Sequence, residues 1–321
     1  MNQLMIDTLN EDVIDTCYST KMEENKFDDV DGFRCTVCVS ESEDQEALVD
    51  VVYNGHENYT KTYNIEESDI VWFGRPFQPS DVELTSKLHG FHNRICGTEI
   101  FKDKDTQCKI LNQCKELYPD EFAFHPGSYC LMKEYEQLQM ELMKSNGNKL
   151  WIAKPSDGGD GDGIFLFKNM EELVRGGMTD DMVVQQYIGN PLLIRKKKWD
   201  SRIYVVVHGI NPMKAYISYD LGLGRFCTED YDTSDTANIF SHLTNYSINR
   251  KSDKYVNTDV DEDNQNSAEE TNKQLPTKLP MSTVWELIAE EYPETSIEDL
   301  KKKVKETAIN ILRSHRSTIE V

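Results

Sequence analysis

The stretch WIAKPSDGGDGDGIFLF, residues 151–167, places four glycines and three aspartates between two apolar runs. The runs predict two short strands, and the glycines then form the hairpin that joins them. Lys154 stands at the end of the first strand. Glycines let backbone N–H groups approach phosphate oxygens closely, and a lysine on a rigid strand adds a point charge. The stretch therefore suits a mobile lid over ATP, although a flexible hairpin with a surface lysine also explains this segment taken alone.

The hairpin does not match the known sequence patterns of phosphate-binding or calcium-binding loops. A Walker A loop needs a lysine after its second glycine, where this chain has Ile164. The dinucleotide fingerprint needs its third glycine at the same position, and the EF-hand spacing also breaks there. The calcium-binding nonapeptide repeat breaks at Gly163. The pattern therefore leaves a glycine hairpin with a lysine beside it.

Composition limits the class of protein. A chain of 321 residues with 38% hydrophobic content is long enough for two or three lobes. Its net charge of −22 argues against a nucleic acid or an anionic membrane as partner. We find no apolar run of about 20 residues and no signal-peptide pattern, so we expect an intracellular protein. Cys35 and Cys38 lack a second ligand pair for zinc, and we expect reduced thiols.

Apolar spacing predicts the elements around the hairpin. Strands are expected within residues 68–75, 150–154, 163–167, 182–188, 202–209 and 214–222, with a turn at 211–212. Helices are expected within residues 102–122, 132–145, 169–174, 282–292 and 296–314. Asn169 is a candidate N-cap, and Ser296 and Asp299 have capping-box spacing. Residues 250–280 are polar and almost free of aromatics, which predicts a flexible loop.

Two polar patterns follow the hairpin. Lys198, Asp200 and Arg202 occupy alternate positions, so a strand would turn all three side chains to one sheet face. A solvated edge strand would also tolerate these charges. Further on, FSHLTNYSINR places three polar residues, His242, Thr244 and Asn245, beside Leu243 and Tyr246, where a capped turn is the simpler interpretation.

Four segments together resemble the tubulin tyrosine ligase-like family, which has the ATP-grasp fold. They are WIAKP with its glycine loop, QQYIGNPLLI, KWDSRIYVVV and HLTNYSIN, and the resemblance runs from about Asp69 to the end. The last form is closest to the glutamate-adding members. The resemblance implies an α/β fold in which a smaller N-terminal lobe and central and C-terminal lobes enclose an ATP cleft. We expect an N-terminal extension over residues 1–65, an N-terminal lobe over 66–148, and the ATP-grasp region with an incomplete C-terminal lobe over 149–321.

The resemblance also implies the site. Residues matching positions that hold the nucleotide are Lys104, Lys154, Gly159, Gly161, Gly163, Gln185, Gln186, Ile188, Lys198, Asp200, Thr244 and Asn245. Among them, the glycines match the lid, and Gln185, Gln186 and Ile188 match the adenine pocket. Residues expected to act in catalysis, by facing the triphosphate or the acidic substrates, are Lys198, Asp200, Arg202 and Arg225.

The chemistry implied by the resemblance is ATP-driven isopeptide bond formation. ATP phosphorylates a carboxylate and an amine attacks the acyl phosphate, with Mg²⁺ bridging the phosphates. The expected reaction adds glutamate to glutamate side chains on tubulin tails, and the basic segment IRKKKWDSR would receive such an acidic tail. Tubulin or microtubules and free glutamate are the expected partners. The expected location is the cytoplasm at the cytoskeleton, including the cilium or basal body.

The end of the chain departs from the family pattern. Family members continue past the final helix into strands that carry an acidic residue and a Glu-x-Asn pair, the magnesium ligands, whereas this sequence stops at Val321. We expect a fragment that binds ATP and needs the missing segment for turnover. The alternative is a non-catalytic relative that uses the cleft to hold a nucleotide or a microtubule. The sequence therefore assigns no metal ligands.

Overall fold

A computed structural model describes residues 13–17, 35–40, 49, 59–74, 79–86, 91–210, 213–256 and 275–319. Contacts divide the chain into two compact units, one formed by Met1–Ser19 with Asp103–Ser314 and one by Thr20–Lys102 with His315–Val321. The expected boundaries at residues 65 and 148 stay a prediction. Mixed helices and sheets confirm the predicted α/β class.

Bounds of the described elements are as follows. The strands are β1 Val13–Cys17, β2 Cys35–Ser40, β3 Tyr59–Thr62, β4 Ile70–Phe73, β5 Phe91–His92, β6 Ser128–Cys130, β7 Trp151–Pro155, β8 Phe165–Phe167, β9 Met182–Gln186, β10 Trp199–Ile210, β11 Met213–Phe226 and β12 Lys278–Pro280. The helices are α1 Pro79–Ser86, α2 Lys104–Leu117, α3 Leu131–Ser145, α4 Met170–Arg175, α5 Ile239–His242, α6 Tyr246–Asn249, α7 Met281–Glu291 and α8 Ile297–Ile319. No helix in these ranges combines the length and the apolar character that a bilayer span requires.

The smaller unit is built on a parallel sheet. Its strand order is β3-β2-β4-β5, and all three pairings are parallel. Val71 and Phe73 are fully buried at alternate positions of β4 and form its described core with Ile65 and Cys96. The strand expected within residues 68–75 is therefore confirmed.

The larger unit contains the sheet that carries the glycine hairpin. Its strand order is β6-β9-β7-β8, with antiparallel pairing throughout. Trp151, Ala153 and Phe167 point into a core that α3 closes with residues at helical spacing, among them Leu138 and Leu142. Because β7 and β8 are both anchored in this core, residues 156–164 between them are held at one end of the sheet. Lys154 lies where that loop begins.

The second sheet of the larger unit positions the charged residues. A long antiparallel pair, β10 and β11, forms its centre, with β1 parallel to β11 and β12 antiparallel to it. The register sets Asp200 opposite Arg225. Phe226 anchors this end of β11 in a core filled by the apolar face of α7, including Met281, Val284 and Ile288.

The predicted helices agree with the structure at their caps. α2 stops before Pro119, the Asn169 side chain accepts from the N–H of Glu172, and the Ser296 hydroxyl accepts from the N–H of Asp299. The loop expected over residues 250–280 contains turns at 250–256 and β12 at its end, while residues 257–274 and the turn at 211–212 lie outside the described residues. Residues 278–280, which were expected in the loop, therefore belong to a sheet instead.

Candidate active site

The glycine hairpin is fixed at both sides. Lys104, the first residue of α2, donates from Nζ to the Gly158 carbonyl at 2.7 Å and to the Ser156 carbonyl at 3.4 Å. On the other side, the Ser247 hydroxyl donates to the Asp160 carbonyl. Gly161 has φ +90°, and a Cβ there would lie 2.6 Å from Ile248 Cδ1. Only glycine therefore lets the loop lie this close to α6.

Lys154 stands in a half-buried pocket at the end of β7. Its ammonium donates to Gln185 Oε1 at 3.0 Å, and the Gln185 amide donates to the Ser128 hydroxyl at 2.9 Å. Burial, followed by the charges of Lys198 and Lys104, lowers the pKa of Lys154. The Lys154 ammonium lies near two other ammonium groups, and its hydrogen-bond partner is a neutral amide. A bound anion would offset the cost of burying its charge and the repulsion between the cations, so the arrangement favours an anionic ligand.

Lys198 enters the same region from the segment before β10. Its Nζ donates to the His242 carbonyl at 2.7 Å and lies 5.4 Å from the centre of the Tyr187 ring. Burial lowers the pKa of Lys198, while Cys227 and Asp200 act in the opposite direction. Both contacts are to neutral groups, so this ammonium also lies ready for an anion.

Asp200 joins two sheet strands and the HLTNYSIN segment. Its carboxylate accepts from Arg225 Nε and Nη2, each at 2.8 Å, and from the Thr244 hydroxyl. This two-point pairing fixes the plane of the guanidinium. Arg225 and Thr244 also line a small cleft whose other walls include Tyr246 and Lys278.

The remaining sequence-predicted residues are placed differently. Asn245 faces the hairpin, with its Cγ 3.0 Å from where a Gly161 Cβ would lie. The Gln186 N–H donates to the Gly127 carbonyl at 2.7 Å, and the Ile188 side chain is 60% exposed. A Cβ on Gly159 would meet nothing within 4 Å, and Gly163 has φ +69°. The structure therefore brings the lysines, hairpin and HLTNYSIN segment together, while Ile188 lies at an open edge.

Arg202 is exposed on β10, two residues beyond Asp200. Within the described ranges its guanidinium forms no ion pair. The alternation predicted for positions 198, 200 and 202 thus places one cation inside the site and one at the surface. An exposed arginine of this kind remains available to a soluble acidic group.

The sequence assigned no role in the site to two buried polar side chains of the HLTNYSIN segment, His242 and Asn249. His242 is fully buried and contacts Tyr187 and Asp235 through its ring nitrogens. Asn249 is 1% exposed, and its amide bonds Thr228 together with the carbonyls of residues 243 and 245. The motif contained both residues, but the sequence did not show that they fix the backbone.

One cluster of possible metal ligands is found among the described residues. In the described ranges, the single group of three possible ligands is Cys108, Cys130 and Glu134. Two of these are buried thiols, whereas Mg²⁺ takes oxygen ligands in octahedral geometry. The described cysteines 96, 108, 114, 130 and 227 are free thiols. This thiol-rich group is therefore not a magnesium site.

In the larger unit, the glycine hairpin, Lys154, Lys198 and the HLTNYSIN segment lie together, and these segments resemble the tubulin tyrosine ligase-like family. Comparison with known families agrees, because residues 83–318 match the model of the tubulin-tyrosine ligase family. The chain belongs to this family.

Its relatives include several tubulin polyglutamylases. The chain is 38% identical to the tubulin polyglutamylase TTLL11 of Mus musculus over 205 residues, and this alignment covers 60% of the chain and 27% of the relative. It is 38% identical to the probable alpha-tubulin polyglutamylase Ttll1 of Tetrahymena thermophila over 192 residues, an alignment that covers 55% of the chain and 45% of the relative. It is 37% identical to the human tubulin polyglutamylase TTLL6 over 166 residues, an alignment that covers 51% of the chain and 18% of the relative. The chain thus spans less than half the length of each.

Proposed function

We propose that the protein is an ATP-dependent ligase that adds glutamate to glutamate side chains of tubulin. The observation that carries the proposal is the convergence of three lysines, Lys104, Lys154 and Lys198, beside the glycine hairpin. Among the described residues, their ammonium groups contact carbonyl, amide or aromatic groups and no carboxylate. In a protein of net charge −22, such a site is suited to a triphosphate. The relatives named above support the choice of tubulin.

The proposed roles follow from position. Lys154 and Lys198 bind phosphate oxygens in exchange for their present neutral partners, and Lys104 holds the hairpin so that its backbone N–H groups face the phosphates. Gln185, Gln186 and Ile188 border the adenine, while Thr244 and Asn245 lie towards the ribose. Arg225, fixed by Asp200, and the exposed Arg202 bind the carboxylates of the two glutamates.

The reaction proceeds in two transfers. An oxygen of the acceptor carboxylate attacks the γ-phosphorus, the bond from that phosphorus to the bridging oxygen breaks, and ADP leaves. The amine of free glutamate then attacks the acyl carbon, phosphate leaves, and the amine proton passes to solvent or base. The lysines favour the first transfer because they offset charge on the phosphoryl oxygens. Magnesium would add to this effect, and its ligands are not assigned here. A cytoskeletal location, extending to the cilium or basal body, follows from the same proposal.

The test uses protein expressed from the complete reading frame. It is incubated with magnesium-ATP, isotope-labelled glutamate and either intact tubulin or tubulin whose acidic tails have been removed by protease. We expect labelled isopeptide-linked glutamate on the intact tails only, detected by mass spectrometry, with one ADP released for each glutamate. Binding of ATP and microtubules without incorporation would contradict the proposal in favour of a non-catalytic binding relative.

A further inference from the structure

His242 lies beneath the proposed phosphate site without facing it. Its side chain is fully buried, with Nε2 3.0 Å from the Asp235 carbonyl and Nδ1 3.1 Å from the Tyr187 hydroxyl. A backbone carbonyl only accepts hydrogen bonds, so Nε2 carries the proton. Nδ1 then accepts, and the Tyr187 hydroxyl donates to it. The imidazole is thereby fixed at both nitrogens in one tautomer.

The surroundings keep this imidazole neutral. Burial is the main cause that lowers the pKa of His242, and Lys198 acts in the same direction. The hydrogen bond to the Asp235 backbone and the carboxylates of Asp235 and Asp232 act in the opposite direction, and the net pKa is lowered. The rings of Tyr187 and Tyr231 stand edge-on to the imidazole at 5.7 and 5.6 Å. Tyr187 is itself only 8% exposed, and its N–H donates to the Leu150 carbonyl. The pair Tyr187–His242 therefore has little freedom to move.

Lys198 contacts both members of this pair. Its ammonium donates to the His242 carbonyl at 2.7 Å and lies 5.4 Å from the Tyr187 ring centre. A lysine side chain has four rotatable bonds, and ordering it costs up to about 2 kcal/mol. A carbonyl and an aromatic face that are already fixed reduce the positions that the ammonium samples before a phosphate arrives.

We infer that His242 is a positioning residue: its ring, bonded to the Asp235 carbonyl and the Tyr187 hydroxyl, fixes the carbonyl and the aromatic face that hold the Lys198 ammonium for an incoming phosphate. The inference rests on the proposed function, since it assumes that Lys198 binds the nucleotide. His242 touches no reacting atom in this arrangement. It acts through Lys198, and its contribution depends on that lysine.

A double-mutant cycle on the 321-residue chain tests this dependence. ATP affinity is measured by calorimetry for the parent, His242→Leu, Lys198→Met and the double variant. We expect each single substitution to weaken binding about tenfold and the double variant to bind no more weakly than Lys198→Met alone, because residues acting through one contact are non-additive. Additive losses would overturn the inference, since they would mean that His242 supports the fold or the nucleotide by another route.

Two conservative tyrosine substitutions, a test and a control, keep the inference testable if His242→Leu does not fold. Tyr187→Phe removes the hydroxyl that orients the imidazole and keeps the aromatic face, whereas Tyr292→Phe removes a hydroxyl that donates to the Leu193 carbonyl at 2.7 Å. We expect Tyr187→Phe to weaken ATP binding about threefold and to lose this effect in the Lys198→Met background. Tyr292→Phe should leave ATP binding unchanged in both backgrounds. An effect of Tyr187→Phe that persists without Lys198 would overturn the inference.

The outcome separates this inference from the proposed function. If Lys198→Met and Lys154→Ala both bind ATP as the parent does, the phosphate site itself is misassigned and the inference falls with it. If those variants lose affinity while the His242 and Tyr187 effects add to that of Lys198→Met, the site stands and only the positioning role is wrong.

Discussion

At the scale of single residues, the candidate site contains three lysines that form no ion pair with a carboxylate of the described residues. Lys154 contacts an amide, Lys198 a carbonyl and an aromatic ring, and Lys104 two carbonyls. Lys149, by contrast, forms an ion pair with Glu141 at 2.7 Å. Neutral partners hold an ammonium in place while leaving its charge uncompensated. Lys154 and Lys198 therefore remain available to a ligand, while Lys104 holds the hairpin.

Arg202 gives a residue-scale prediction about the substrate. Its guanidinium is exposed and forms no ion pair within the described ranges, so we expect Arg202→Ala to leave stability within about 0.5 kcal/mol of the parent. Loss of a carboxylate contact should raise the KM for tubulin or glutamate about tenfold or more, measured by labelled-glutamate incorporation. The control is Arg175→Ala, an exposed arginine paired with Glu171. Equal kinetics for Arg202→Ala and the control would remove Arg202 from the site.

At the scale of elements, the sequence predicted more of the secondary structure than of the pairing. Apolar spacing and caps identified β7, β8, α2 and α4, because each carries its signal within a few residues. The parallel pairing of β1 with β11 joins residues about two hundred positions apart, and no local pattern encodes it.

The candidate site shows the same limit. The motifs gave Lys154, Asp200 and Thr244, but the carbonyl that receives Lys198 belongs to His242 and depends on how α5 ends. Backbone acceptors carry no side-chain signal in a sequence. The contacts that hold the site in place therefore became visible only in the folded chain.

The glycine hairpin provides an element-scale prediction with a matched pair. An alanine at Gly161 would adopt φ +90° and place its Cβ 2.6 Å from Ile248, whereas a Cβ at Gly159 meets nothing within 4 Å. We expect Gly161→Ala to displace the hairpin, weaken ATP binding about tenfold and lower stability by about 1–3 kcal/mol. Gly159→Ala should change stability by less than about 1 kcal/mol. Thermal unfolding and ATP titration measure both effects, and equal behaviour of the two variants would contradict the observed packing.

At the scale of the whole molecule, acid stability depends in part on His125. This side chain is 5% exposed and lies 3.1 Å from Asn112 Oδ1 through Nε2. Burial, followed by Lys115 and Lys154, lowers its pKa from 6.5 to about 4. Between these values the unfolded chain binds a proton that the folded chain does not. The stability from neutral His125 is therefore complete above about pH 6.5 and falls as the pH approaches 4.

The predicted loss is about 3.5 kcal/mol at most, from about 1.4 kcal/mol for each pKa unit. Urea unfolding at neutral and acidic pH should show a smaller acid loss for His125→Gln than for the parent. His208→Gln, at an exposed histidine of β10, is the control and should keep the parent's pH dependence. An unchanged acid loss in His125→Gln would mean that other groups dominate acid unfolding.

The net charge of the protein determines at what distance it can attract a triphosphate. At −22, the protein repels a triphosphate at long range, and salt screens this repulsion beyond about 8 Å at physiological ionic strength. Attraction must therefore come from cations within contact distance. Among these cations we choose Lys154 for the test, because burial, followed by the charges of Lys198 and Lys104, lowers its pKa and a bound phosphate would offset both effects.

The most direct measurement is the ATP affinity of the folded 321-residue chain and of Lys154→Ala, by calorimetry. The account predicts that Lys154→Ala loses most of the affinity, at least about tenfold or 1.4 kcal/mol, while its thermal stability stays close to the parent's because a repelled cation has been removed. Lys149→Ala, which removes a surface lysine paired with Glu141, should bind ATP as the parent does. Equal ATP affinity for Lys154→Ala and the parent would contradict the assignment of this hairpin and its lysines as the nucleotide site.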